Sequence, residues 1–181
     1  MKRCHLRSNV LLLGMLFCLT IGVNVQAGDS VESAGDVLRF ILPAAAAGLT
    51  LVFKDGQGAL QLGESAALAL GVTYGLQHTI DAKRPNGKPH SFPSGHTSIS
   101  FASAEFVRKR YGWEYGLPAY ALASFVAYGR VEAKEHYTHD VIAGAAIGIG
   151  SSYLFTRPYE GWHIQAEADH KYYGIRLSRT W

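Results

Sequence analysis

Cysteine is nearly missing. The 181 residues hold two, Cys4 and Cys18, and both fall in a leader-like start without a convincing lipidation box. From residue 28 onward there is none, so no disulfide can staple the chain and its stability has to come from packing. Net charge is equally scarce. The formal charge of +3 equals the contribution of Lys2, Arg3 and Arg7, so residues 28–181 are neutral overall. A neutral domain lacks the basic surface of a nucleic-acid binder and argues against such a partner. There is no internal repeat and no low-complexity segment. Beyond the leader, no stretch of about 18 or more strongly apolar residues is free of charge or of a run of glycines. Val37 to Phe53 comes nearest, and it carries Arg39.

The leader itself has a positive start, an uncharged apolar run from Val10 to Val23 and small residues at Val25-Gln26-Ala27. That run is short of the about 20 residues a membrane span needs. The pattern is that of an export signal, residues 1–27, with Gly28 as the expected mature start. The remaining chain is long enough for one domain with a real core.

Helical patterning dominates from there. Asp36 to Phe53 is apolar and Ala-rich, with Pro43 as an expected kink or restart. Ala59 to about Ile80 places Leu62, Ala66, Ala69 and Leu70 on one side. Asn86-Gly87-Lys88-Pro89 reads as a loop. His96 to Arg110 is a third helix, on which Ile99, Ala102 and Phe106 share a face. Its closing Arg108-Lys109-Arg110 complements the negative helix end better than it suggests a lipid-headgroup patch. Tyr115 to Tyr128 is a fourth, with Pro118 placed in its first turn. His139 to Phe155 is a fifth. Its Gly144, Ala145, Ala146, Gly148, Gly150 and Ser151 would let a neighbour approach closely. The expected fold is all-α, a bundle of about five core helices over residues 28–159. Membrane embedding is the second reading. Residues 160–181 alternate around Ile164-Ala166-Ala168 and Ile175-Leu177, which predicts a short β-hairpin-like tail.

Three clusters carry chemistry. Pro93-Ser94-Gly95-His96 places a natural N-cap, a glycine open to close approach and a first-turn histidine at a helix start. Free amides there, with the Ser94 hydroxyl, can hold phosphate oxygens, and His96 can protonate a leaving oxygen. By itself the tetrapeptide also fits an ordinary capped helix. Arg130-x5-His136-x3-Asp140 offers a nucleophile, a carboxylate for its second ring nitrogen and a guanidinium for phosphoryl oxygens. Arg84-Pro85 adds another planar fork of donors suited to phosphate. His136, His139 and Asp140 could alternatively bind zinc, but the basic neighbours repel a cation.

Together these clusters resemble the type-2 phosphatidic acid phosphatase superfamily, which also holds bacterial acid phosphatases and vanadium haloperoxidases. The family motifs are Lys-x6-Arg-Pro, Pro-Ser-Gly-His and Ser-Arg-x5-His-x3-Asp. Here they stand as Arg84-Pro85, Pro93 to His96 and Arg130 to Asp140, in the family's order and approximate spacing. The resemblance spans about Gln77 to Asp140. It implies a metal- and cofactor-free phosphatase in which His136 is the nucleophile, Asp140 orients it and His96 is the general acid. Arg84, Arg130, Ser94 and the Gly95 amide would hold the phosphate.

Two positions depart from the pattern. Gln77 stands where the family has lysine, a further phosphate-site position that carries no charge here, and Gly129 replaces the serine before Arg130. Losing a charged phosphate contact in a dry site costs a few kcal/mol on the order of an oxyanion donor. The expected substrate is a phosphorylated lipid or a small phosphoester or pyrophosphate. The expected location is the periplasm or cell envelope, with possible contact to a membrane surface. The competing readings are a non-catalytic envelope protein that binds phosphorylated headgroups, and a vanadium haloperoxidase.

Overall fold

A computed structural model describes residues 29–159, 162–169 and 172–179. Five helices follow one another: α1 (Asp29–Val52), α2 (Gly56–Ile80), α3 (Gly95–Tyr111), α4 (Trp113–Glu132) and α5 (Thr138–Phe155). The fold is all-α, as the sequence predicts. Strands β1 (Trp162–Asp169) and β2 (Tyr172–Arg179) pair antiparallel through their backbones, with Ala166 opposite Ile175. The expected export signal, residues 1–27, lies outside the described residues.

Helix α3 is the centre of the bundle and packs against all four other helices. Its approach to α5 is set by glycine. A Cβ at Gly144 would lie 2.5 Å from the Ser94 carbonyl oxygen, and one at Gly148 would collide with the Ser98 carbonyl. The two backbones therefore nearly touch, and Thr97, Ser98, Ser100 and Ser103 are buried on α3. The apolar core lies towards the other end, around Leu42, Leu62, Phe106, Val107, Tyr111 and Val126. Phe53 stacks on Tyr111 there at 4.9 Å between centroids.

Local choices explain the helix limits. Helix α2 starts at Gly56, three residues ahead of the hydrophobic pattern, because the Asp55 carboxylate accepts from the Gly58 amide at 2.8 Å and caps the helix. Its buried stripe is Gly58, Leu62, Ser65, Ala69, Thr73 and Gln77, a helical repeat that includes polar members. Pro43 does not interrupt α1. Leu42 and Ala46 on either side of it are buried, and that packing outweighs the one backbone hydrogen bond a proline removes. Pro118 sits in the second turn of α4 rather than the first, because that helix begins at Trp113.

The basic cluster closing α3 has a different role from the one its position suggests. Arg110 is buried and pairs with Asp55 at 2.6 Å, joined by the Tyr111 hydroxyl at 2.9 Å. Arg108 pairs with the buried Glu105, and Lys109 donates to the Tyr153 carbonyl at 2.6 Å. Each charge ties α3 to a neighbour or to its own preceding turn.

Helix α1 also departs from the reading of a buried core helix. The stretch Gly35–Val52 is long and apolar enough to cross a membrane, and 22% of it is buried. Phe40, Leu51 and Val52 stand exposed on it, as do Val72 and Tyr74 on α2, Leu117 and Phe125 on α4, and Ile142 and Leu154 on α5.

Candidate active site

Contacts among helix ends bring the starts of α1, α3 and α5 and the ends of α2 and α4 to one end of the bundle. Every site residue singled out in the sequence maps to that end. His136 is 2% exposed and sits in the turn between α4 and α5. Its amide donates to the Arg130 carbonyl at 3.0 Å, so the R-x5-H spacing is one turn past a helix end closing on itself. Its Nδ1 donates to the Ser91 carbonyl at 2.7 Å. A carbonyl can only accept, so the ring proton is on Nδ1 and Nε2 keeps its lone pair.

Asp140 is fully buried in the first turn of α5. Its Oδ2 accepts from the Ser91 hydroxyl at 2.5 Å and from the Tyr137 amide at 2.9 Å. The expected hydrogen bond from His136 to Asp140 is not the one formed. Oδ2 lies 3.6 Å from Nδ1, and the Ser91 carbonyl takes the proton instead. Asp140 acts on His136 through the field of its charge and through its grip on Ser91. His139 Nε2 lies 3.1 Å from the other carboxylate oxygen, but the two are not aligned for a hydrogen bond. Among the described residues no three His, Cys, Asp or Glu groups gather to hold a metal ion.

Ser94 occupies the N-cap position of α3 without capping through its side chain. Its hydroxyl accepts from Thr97 Oγ1 at 3.0 Å, and its amide donates to the Asp140 carbonyl at 3.0 Å. The first-turn N–H groups from Gly95 onward have no intrahelical partner and form the anion-attracting end of α3. A Cβ at Gly95 would meet nothing closer than 3.7 Å, so its absence leaves the amide open rather than relieving a clash.

Arg84 is held by Glu135, which also accepts from Asn86 Nδ2 at 2.8 Å and Lys88 Nζ at 2.9 Å. These partners hold the Glu135 carboxyl down at about 2 against its burial. Arg130 is buried and donates to Asp36 at 2.5 Å. The same Asp36 oxygen is 2.9 Å from His96 Nε2, and Arg39 NH1 is 2.6 Å from that nitrogen. A neutral imidazole nitrogen can serve one of these partners at a time, as donor to Asp36 or acceptor from Arg39. Gln77 is at this end too, but its amide donates to the Pro93 carbonyl at 2.8 Å.

Both histidines are weak bases here. Burial pushes His136 down to about 4, with the Arg84 charge adding to it. Burial also pushes His96 down to about 4, helped by Arg130 and Arg39 and opposed by Asp36. A neutral His136 is what a nitrogen nucleophile requires. A phosphate dianion beside His96 would oppose the arginine charges and restore the basicity a general acid needs.

Four members of this end were not singled out as site residues: Ser91, Glu135, Asp36 and Arg39. Glu135 adjoins His136 in the sequence, and Ser91 precedes Phe92-Pro93-Ser94. Asp36 and Arg39 are the lone charges, three apart, on one face of an otherwise apolar stretch.

The chain is also similar to known proteins. The PAP2 superfamily profile matches residues 70–163, just over half of the chain. The lipid A 4'-phosphatase of Helicobacter pylori is 33% identical over 170 residues, covering 83% of this chain and 85% of that protein. The lipid A 1-phosphatase of Porphyromonas gingivalis is 33% identical over 99 residues, 51% of this chain and 22% of that one. The crystal structure of Aquifex aeolicus LpxE superposes with a TM-score of 0.54 at 19% identity, over 72% of this chain and 95% of that one.

Proposed function

The chain belongs to the PAP2 superfamily and is a phosphatase of that family, and we propose that it removes phosphate from a lipid headgroup through a phosphohistidine at His136. The observation that carries this reading is the Ser91 carbonyl on Nδ1 of His136, which leaves Nε2 as a free nucleophile beside Arg84 and Arg130. In this mechanism the two arginines and the first-turn amides of α3 hold the phosphoryl oxygens. Nε2 attacks phosphorus as the ester P–O bond breaks, and His96 gives its proton to the departing oxygen. Water then attacks the phosphohistidine, with His96 taking its proton and His136 released. Asp140 steadies the imidazolium as charge develops.

A glycolipid phosphate of the lipid A type is the substrate class we favour, because the relative matched over most of both chains acts on lipid A by its name. The exposed apolar side chains on α1, α2, α4 and α5 support work at a membrane. Export to the periplasm follows from the leader pattern.

A headgroup-binding protein without turnover is the second reading, favoured by Gln77, whose amide is committed to Pro93 and brings no charge. Phosphate release by the purified chain separates the two. The substrates are lipid A phosphorylated at the 4' position, phosphatidate and a soluble monoester, with His136→Ala alongside. The proposal expects turnover, lost in the variant, and an acid-labile phosphoryl-enzyme in the parent. Binding without turnover on all three would establish the second reading.

A further inference from the structure

The position that carries lysine in the family motif holds Gln77, a buried neutral side chain whose amide is already spent on the Pro93 carbonyl at 2.8 Å. A phosphate site assembled from Arg84 and Arg130 alone would be one cation short of the pattern it otherwise matches. The chain has another cation within reach. Arg39 lies in the apolar stretch of α1, where a charge is costly unless something uses it. Its NH1 is 2.6 Å from His96 Nε2. Its Nε is buried and has no hydrogen-bond partner among the described residues. The Phe40 ring lies 4.4 Å from the guanidinium carbon. No carboxylate among the described residues pairs with it at salt-bridge distance.

One turn earlier, Asp36 shows where an anion is wanted. A single carboxylate oxygen touches Arg130 NH1 at 2.5 Å and His96 Nε2 at 2.9 Å. Those are the two groups that would grip a phosphoryl oxygen and protonate the leaving oxygen. The side chain is 47% exposed and can turn out into water, provided that an arriving anion takes its place against the buried Arg130. Asp36 and Arg39 are three residues apart, so they share one face of α1.

We propose that Arg39 is the third phosphate-binding cation of this active site, filling the role left open at Gln77, and that Asp36 holds the place of a phosphoryl oxygen until substrate displaces it. The proposal rests on the catalytic reading given above. The arriving phosphate takes over the Arg130 and His96 contacts from the carboxylate, and Arg39 closes on its outer oxygens.

Orthovanadate inhibition of the full chain in detergent tests this, with vanadate-dependent thermal shift as a second readout. Arg39→Gln is expected to raise the vanadate Ki by ~10- to 100-fold, the worth of one charge-assisted hydrogen bond. Gln77→Lys added to Arg39→Gln is expected to recover most of that loss. Asp36→Asn is expected to lower the Ki several-fold, because the competing charge is gone while the shape is kept. A folded Arg39→Gln that binds vanadate like the parent overturns the proposal. If Arg39→Gln does not fold, Asp36→Asn decides alone, and an unchanged or raised Ki overturns it. His136→Ala separates the two levels. If that variant still turns over substrate, the catalytic reading has failed. If it is dead while Arg39→Gln is unaffected, only the role of Arg39 has failed.

Discussion

His136 gives its Nδ1 proton to the backbone carbonyl of Ser91 at 2.7 Å. The acceptor that fixes the tautomer of the candidate nucleophile is thus a main-chain atom, which no side-chain substitution removes. The Ser91 hydroxyl in turn binds Asp140 at 2.5 Å, so the carboxylate supports the histidine at one remove.

This arrangement limits what Asp140→Asn can do. Where a carboxylate itself holds the histidine tautomer, its amide costs about 10⁴-fold in kcat. Here the Ser91 carbonyl keeps that task, and an asparagine oxygen can still accept from Ser91 and Tyr137. We expect a loss in kcat of about 10- to 100-fold, from the missing charge near the developing imidazolium, with KM little changed. Single-turnover kinetics checks it. A loss near 10⁴-fold would place the Asp140 carboxylate directly on Nδ1 during turnover.

The same residues show what sequence could and could not reveal. His96, His136, Asp140, Arg84 and Arg130 are legible as candidates because the chemistry proposed for them depends on residue type at fixed spacing along one or two turns. Ser91 is not, because its contact with His136 is made by a main-chain carbonyl, which every residue has. Asp36 and Arg39 were hidden by distance. They stand 94 and 57 positions from their partners Arg130 and His96, and only the bundle topology brings α1 to that end. The five helices were legible from period and composition. The full burial of Arg110 was not, because its partner Asp55 lies on another helix start.

The glycines of α5 make separable predictions. Gly148→Ala drives a methyl into the Ser98 carbonyl, a backbone atom with nowhere to go. The helices must part, and overpacking of this kind costs about 1–3 kcal/mol. The displaced α3 start should also lower activity. Gly150 has nothing within 4 Å of its would-be Cβ. Gly150→Ala should stabilise by up to about 1 kcal/mol through helix propensity alone, with activity unchanged. Denaturant midpoints for the two variants, of opposite sign, check this.

At the far end of the bundle, Asp55 holds the buried Arg110 at 2.6 Å, accepts from Tyr111 and caps α2. Asp55→Ala leaves a guanidinium uncompensated in the interior, which costs about 3–5 kcal/mol, and removes the cap besides. Because the site lies at the opposite end, the fraction that remains folded should keep its kcat. Calorimetry beside activity per folded molecule checks both halves. A kcat that falls with stability intact would mean that this end also reports to the site.

Acid should unfold this protein through His136 and His96. His136 and His96 both sit near 4 in the folded chain, below the ordinary histidine value of 6.5. Between those values the unfolded chain binds protons that the folded chain refuses, so stability is full above about 6.5 and is lost as pH falls towards 4. Each histidine contributes a slope of up to about 1.4 kcal/mol per pH unit in that window. Glu135, held at about 2 against an ordinary value of 4.5, adds its own loss as the pH falls from about 4.5 towards 2. Urea midpoints at pH 7, 5.5 and 4 should therefore fall steadily, and His136→Asn, which cannot take up a proton there, should flatten the fall. Bound vanadate should flatten it further, because an anion beside His96 lifts that histidine back towards its unfolded value. A parent protein equally stable at pH 7 and pH 4.5 would show that neither histidine is held neutral by its surroundings.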